Sequence, residues 1–427
     1  MSLRRRKYCL IIILTFLFSA CSITKNNFLP RNLYFLYDNY TENIHPNILL
    51  YNTSDTTSLL IVKLNSKDLL FNKANRDKEL KAFINISYQV LDIENKNQIV
   101  DSSDIQFRIN KPLRDSALSY IIPIKAFEGK NHLVKIIAED INKEKSSKIV
   151  LKYLDRTRDS LQNDFLLRGK DNKEILYSPF VCDSNSFTIN HRKNIVDSMM
   201  VLFYGERNNV AINPNIEIDT LNNDFEIPDS SWMWYSDSTN YSYNKNGIYR
   251  FCFDSISKKG FSLYNFGKTF PVIHTPKELI EPLKYIADSL EEFEQLENDK
   301  LTKLAVDNFW LERAENLNRS RDLLNIYYTR VINANYYFTS YKQGWKTDRG
   351  MIYIVYGLPD GIYKSGENEK WVYNPRGAGP GLVFIFDYKF HQFSSNNFIL
   401  NREKLKYTQW DNSIILWRDG EVVYYQR

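Results

Sequence analysis

Asp348, Asp360, Glu369 and Asp387, four carboxylates near the end of the chain, are the residues whose type could support acid–base chemistry. Two such groups roughly 5–9 Å apart can break a glycosidic bond, and sequence spacing leaves that separation open. The five histidines, His45, His132, His191, His274 and His391, stand singly, so each reads as a surface or capping residue and not as a metal ligand. Asp288, Glu291, Glu292, Glu294, Glu297 and Asp299 crowd one helical stretch without the Glu-x-x-His of a di-iron bundle. They read as a solvated face, or as one that pairs with Arg313, Arg319 and Arg321 on a neighbouring helix. HExxH, CxxC, Walker and GxSxG patterns are missing, as is GxGxxG in strand–helix context, so neither a metal nor a cofactor is expected. Ser231-Trp232-Met233-Trp234-Tyr235 is the densest aromatic stretch. Exposed and coplanar, Trp232, Trp234 and Tyr235 would suit stacking on sugar rings; in a hairpin, Trp232 and Trp234 would share the buried face.

The elements that must position the four acids begin at Gly344-Trp345-Lys346-Thr347-Asp348-Arg349-Gly350, followed by Met351 to Tyr356 and then Gly357-Leu358-Pro359-Asp360. The spacing predicts a tight turn, a strand over 351–356 and a second turn. Gly344 and Gly350 allow backbone angles that a side chain would forbid. Asp348 can accept neighbouring amides in an Asx turn or pair with Arg349, with Thr347 doing the same more weakly. Trp345 supplies a large apolar anchor with one donor. Each residue of the stretch therefore has a structural task available to it. Strands at Lys370 to Tyr373 and Leu382 to Tyr388 follow, with a Gly/Pro-rich hairpin loop at 375–381. Trp410, Ile414 and Trp417 then repeat at helical spacing.

The 344–360 stretch resembles the signature of the GWxTD-domain family, lipoproteins mostly of Bacteroidota. A looser likeness, in the helical lead-in, Trp371-x-Tyr373 and Phe384-x-Phe386, extends it over 275–427. The order of a strand, Gly357-x-Pro359, Trp371-x-Tyr373 and the Phe384 strand also resembles the small BamE-like lipoproteins of outer-membrane assembly. These resemblances imply an accessory or scaffolding role among protein partners and name no reaction. Tyr363, Trp371, Arg376 and Trp417 are the candidate partner-binding residues.

At the other end, Arg4, Arg5, Arg6 and Lys7 precede an apolar run from Leu10 to Phe18. The run is too short to span a bilayer and reads as an export signal over 1–20. Ser19-Ala20-Cys21 looks like a lipobox, with Cys21 the acylated residue. Because no acidic run follows Cys21, the resemblance implies an outer-membrane anchor with the protein facing the periplasm. The formal charge of +5 falls to near balance without the signal, 52 basic against 51 acidic side chains. Such a protein lacks the electrostatic footprint of a nucleic-acid binder.

Cys182 and Cys252 remain in a compartment that permits disulfides. Tyr249, Phe251 and Phe253 alternate on one face, which puts Cys252 with Arg250 and Asp254 on the other and argues against a core disulfide. A pair or two separate thiols both stay open.

The expected fold is mainly β with an α+β C-terminal part. An Asn-rich tether over 21–45 leads to an antiparallel β-sandwich over 46–154, where Ala82, Ile84, Ile86, Tyr88 and Val90 show period two. A second sandwich over 155–274 includes strands at 200–204, 212–218 and 248–253. A helical segment spans 275–340, opened by the capping box Thr275-Pro276-Lys277-Glu278. Leu279, Leu283, Ile286, Leu290 and Phe293 make one apolar stripe, and Leu323, Tyr327, Val331, Ala334 and Phe338 another. A small α+β unit over 341–427 completes the chain. With a tether and two β-modules between, that unit is expected far from the anchor.

Overall fold

The computed structural model describes Leu33, Tyr37 and residues 44–422 apart from short stretches, of which 74–78, 182–186, 217–224, 237–242 and 375–380 are the longest. The signal, Cys21, Cys182, Tyr241, Asp288, Asp299 and Arg376 lie outside the described residues. Among the described residues the strands form five antiparallel sheets, and most of the helix lies in the C-terminal part.

The first unit is the expected sandwich. One sheet runs β1 (Asn47–Asn52), β2 (Thr57–Asn65), β5 (Ala117–Lys125). The other runs β4 (Gln98–Asn110), β3 (Lys81–Asp92), β6 (Asn131–Asp140), β7 (Lys145–Ser146), with β8 (Val150–Asp155) also on β6. Period two decides the faces: Ala82, Ile84, Ile86 and Val90 are fully buried against Leu60, Val62, Ile122 and Ile124 of the opposite sheet. Along β8, Leu154 enters this core, whereas Leu151 points outward and packs on the C-terminal part.

The second unit is a hairpin, β9 (Phe165–Gly169) and β10 (Phe187–His191), laid on a four-stranded sheet of order β12, β11, β13, β14 (Ser230–Tyr235, Ser198–Gly205, Gly247–Cys252, Gly260–Asn265). Both faces of β13 and β14 are covered. Tyr249, Phe251, Phe261 and Leu263 meet the hairpin; Ile248, Cys252, Tyr264 and Phe266 meet Phe393 of the C-terminal unit. The face expected to be polar around Cys252 is therefore interior: Arg250 is buried and the Cys252 thiol lies 3.5 Å from the Met200 carbonyl oxygen. Of the strand expected over 212–218, the described residues 212–216 form no strand. Its described residues are irregular and turn at 214–216, because Pro214 interrupts the pattern and Asn213 accepts the Asn215 amide at 2.9 Å.

The helices follow as α1 (Pro276–Ile280), α2 (Leu290–Asn298), α3 (Thr302–Glu312) and α4 (Leu317–Phe338). Both bonds of the Thr275–Glu278 capping box are present. The stripe from Leu279 to Phe293 is not one helix. After α1 the chain tightens into a 3-10 turn over Glu281–Tyr285 and breaks, since Pro282 has no amide to donate. Glu292 of the acidic stretch pairs with Arg313, as the charge pattern suggested. The α4 stripe is fully buried at all five positions.

Residues 351–356 are helical, not a strand. They belong to α5 (Asp348–Tyr356), which lies against a sheet of order β15 (Gly361–Lys364), β16 (Asn368–Tyr373), β17 (Leu382–Tyr388) and β18 (Phe398–Leu400). All of Arg349 to Tyr356 is buried, so no polar face marks a helical period. A short apolar run with no alternation fits either element, and what decides is its cap. α6 (Trp410–Arg418) closes the unit.

The stretch expected as a free tether also differs. Leu33 and Tyr37 are each only 5% exposed and sit in the core of the C-terminal unit.

Candidate functional site

The signature begins where α4 ends. Asn335 accepts the Trp345 amide at 3.1 Å, and the Thr339 hydroxyl accepts the Gly344 amide at 3.0 Å. The chain passes so close to α4 that a Cβ on Gly344 would collide with the Ala334 carbonyl oxygen; on Gly350 it would collide with the Gly344 carbonyl. Glycine is required here by space. Trp345 is buried, donates its indole N–H to Gln343 at 2.8 Å, and offers its carbonyl to the Tyr285 hydroxyl at 2.8 Å. Lys346 pairs with Glu206 of the second unit at 2.7 Å.

Thr347 caps α5. Its hydroxyl accepts the Gly350 amide at 3.0 Å and donates to the Gly344 carbonyl at 2.7 Å. Asp348 then lies in the first helical turn, where a negative charge is favoured. It makes neither the Asx turn nor the Arg349 pair expected of it. One oxygen accepts the Leu400 amide at 2.9 Å and the other meets Arg402 at 3.3 Å. At the other end, Gly357 has φ +80°, with Arg330 against the place a side chain would occupy. Arg330 donates to the carbonyls of Ile354 and Val355, both at 3.0 Å, and Trp417 donates to Val355 at 3.0 Å. The last helical carbonyls thus have side-chain partners. Pro359 is buried just beyond.

Arg349 and Glu369 form the centre of this region, 1% and 0% exposed, 3.1 Å apart. Arg349 also donates to Asn396, at 2.6 Å to the side chain and 3.0 Å to the carbonyl, with its guanidinium 4.3 Å from the Phe398 ring centroid. Glu369 accepts from the Trp371 indole at 2.7 Å and from the Tyr37 hydroxyl at 2.8 Å, and pairs with Lys364 at 3.2 Å. Burial opposes its ionisation, but the two cations and two hydrogen bonds outweigh that and hold the carboxyl down at about 2. An acid so firmly ionised cannot donate a proton near neutral pH.

The four suspected acids therefore hold separate structural bonds. Asp348 fixes β18, Glu369 holds the buried pair, Asp360 accepts the Asn374 amide at 2.7 Å, and Asp387 accepts from Asn401 at 2.7 Å. Among the described residues no three His, Cys, Asp or Glu side chains gather as a metal site. Of the partner-binding candidates, Trp371 and Trp417 are fully buried core residues; Tyr363 alone is described as exposed. Their aromatic character suited core and surface equally, which is why the sequence misplaced them. Trp232 and Trp234 lie on the hairpin-facing side of β12 with Trp234 buried, while Tyr235 is exposed on the other side, so the three do not form a plane. Residues of the network that sequence reasoning did not single out are Tyr37, Arg330, Lys364 and Asn396. A buried Tyr37–Glu369 bond across 332 positions leaves no local trace.

A cavity of about 230 Å³ lies where the three units meet, with Tyr153, Asp155, Arg250, Tyr264, His391 and Phe393 among its walls. Asp155 is the single carboxylate among the described lining residues. Burial, helped by the Lys342 cation, pushes the His391 imidazole down to about 4, so it is neutral at ordinary pH.

Solved structures overlap the chain weakly. They include a glycosyl hydrolase family 2 member from Bacteroides cellulosilyticus DSM 14838 (8% identity, 35% of this chain, 18% of that chain, TM-score 0.19). Another is Bacteroides uniformis beta-glucuronidase 2 (11% identity, 30% and 14% coverage, TM-score 0.18). A third is a putative beta-galactosidase from Bacteroides fragilis (12% identity, 35% and 18% coverage, TM-score 0.17). The overlap spans less than a fifth of each of those chains and carries no argument about fold or activity. No curated protein matches the sequence significantly. A family model does match, over residues 247–419, from β13 through α6 and with the whole Gly344–Gly350 knot inside it: the chain carries a GWxTD domain.

Proposed function

We propose that this protein is a lipid-anchored, non-enzymatic scaffold of a cell-envelope complex, held by Cys21 on the periplasmic face of the outer membrane. The observation that carries the reading is the interior placement of the signature. Arg349, the residue of the motif best suited to grip an anion, is buried against Glu369, Asn396 and Phe398. A motif whose Arg349 terminal nitrogens, Thr347 hydroxyl and Asp348 carboxylate are bound within the protein defines a shape, and shape is what a scaffold offers. Two observations weigh against the other readings. The cavity wall carries one described carboxylate where a glycosidase needs two, and Trp234 is buried where a glycan platform needs it exposed. Among the described residues no helix is long and apolar enough to cross a membrane, which is compatible with a lipid anchor.

Detergent phase partitioning tests the anchor: wild type belongs in the detergent phase and Cys21→Ala in the aqueous phase. Crosslinking in native membranes, with reciprocal capture from the partner's side, tests the scaffold. A reproducible protein neighbour supports it. Turnover of a glycan or peptide by the purified chain, with no neighbour recovered, rejects it.

A further inference from the structure

Leu33 and Tyr37, twelve and sixteen positions after Cys21, are both held by the C-terminal unit. The Leu33 amide donates to the Ile362 carbonyl at 2.7 Å, on the edge strand β15 of the C-terminal sheet. Tyr37 is inserted more deeply. Its ring packs on Phe338 and Tyr337 at 4.8 and 5.2 Å and on Trp371 at 5.8 Å. Its hydroxyl donates to Glu369 at 2.8 Å and accepts from Lys364 at 2.9 Å, and its carbonyl accepts from Tyr353 at 3.2 Å. Every one of these partners belongs to the GWxTD domain, which the chain otherwise enters more than 200 positions later. A main-chain bond to a sheet edge together with a side chain filling a pocket fixes two points of the chain.

We propose that the segment carrying Leu33 and Tyr37 is a strap that completes the GWxTD domain and ties that domain, not a remote end of the molecule, to the membrane. The membrane half of this statement rests on the acylation of Cys21. Leu33 lies twelve positions after Cys21, a reach of roughly 40 Å at full extension. Ile44, buried in the first sandwich, lies 23 positions after Cys21, a reach of roughly 80 Å. The strap therefore roughly halves the length of chain between the anchor and the first residue held in a folded core. It also joins the anchor to the buried Arg349–Glu369 pair through a single hydroxyl.

The strap is tested in solution with the full mature chain carrying Cys21→Ser. Hydrogen exchange of peptides covering Leu33 and Tyr37 should be at least about tenfold slower than in an unstructured peptide. It should rise toward the free rate in Tyr37→Ala and stay intermediate in Tyr37→Phe, which keeps the ring and loses the bond to Glu369. Free exchange in the unsubstituted chain overturns the strap whatever the variants do. The membrane placement is tested with the acylated protein on phospholipid vesicles, a fluorescent donor at the exposed position 363 and acceptor lipids in the bilayer. Energy transfer should be strong in the wild type and fall in a Leu33→Pro/Tyr37→Ala chain. Equal transfer in the two chains overturns the placement. Failure of the wild type to bind vesicles at all refutes the anchor, and the membrane half with it, while the exchange result still decides the strap.

Discussion

The core of the first sandwich and the signature knot are both buried, yet they are held in different ways. The interior of β3 is Ala82, Ile84, Ile86 and Val90, apolar groups whose requirement is shape and volume. The interior around α5 contains two glycines with no room for a Cβ, a capping threonine, and a buried charged pair whose further partners are Asn396, Lys364, Trp371 and Tyr37. An apolar core tolerates exchange among residues of similar size. A knot of close backbones and a buried ion pair tolerates almost none, because removing one partner strands the other. That contrast explains why the C-terminal part bears a recognisable signature and the sandwich bears only an alternation.

The contrast can be broken first at the glycines. Gly344→Ala and Gly350→Ala place a methyl group on a neighbouring carbonyl, and each should cost about 4 kcal/mol or more in denaturant unfolding of the C-terminal unit. A cost below 1 kcal/mol in both would show that the backbones can separate. Next comes the charged pair. Arg349→Met alone should cost about 3–5 kcal/mol, because Glu369 is then buried with one of its two cations gone. Adding Glu369→Leu should recover part of that loss, a non-additivity that a double-mutant cycle would read. In the sandwich, Ile84→Val should cost only about 1 kcal/mol, and without coupling to either change in the knot.

Acid should weaken the C-terminal unit in two steps, while burial lowers His132 in the first sandwich as well. His391 has a folded value of about 4 against an ordinary 6.5, so the unfolded chain binds more protons between those values and stability falls as pH drops from 6.5 to 4. Glu369 is depressed from 4.5 to about 2, and its contribution is present above 4.5 and lost between 4.5 and 2. Melting followed against pH should show both declines in wild type, and His391→Asn should flatten the upper one. An unchanged profile in that variant would remove His391 as the cause.

What could be read from the sequence was whatever a local period or a local cap records. The alternation of β3, the stripe of α4 and the box at Thr275 all reappear in space because each is written within a few residues. α5 was misread because Met351 to Tyr356 is buried all round and shows no period. The useful signals were Thr347 before Asp348 at the start, and Gly357 at positive φ at the end. Pro282 was overlooked inside an otherwise regular stripe. The Tyr37–Glu369 bond and the burial of Trp371 and Trp417 were beyond local reading, since they depend on elements brought together from distant parts of the chain.

Glu369→Gln separates a signature that defines a shape from one that does chemistry. The substitution keeps the size and removes the charge that Arg349 and Lys364 face. Measured at pH 7 in the purified protein, it should lower the melting temperature by several degrees, with capture of native-membrane partners intact at temperatures below the transition. An unchanged or raised melting temperature with partners or activity lost would contradict the account, because that is how a functional acid behaves when it is removed.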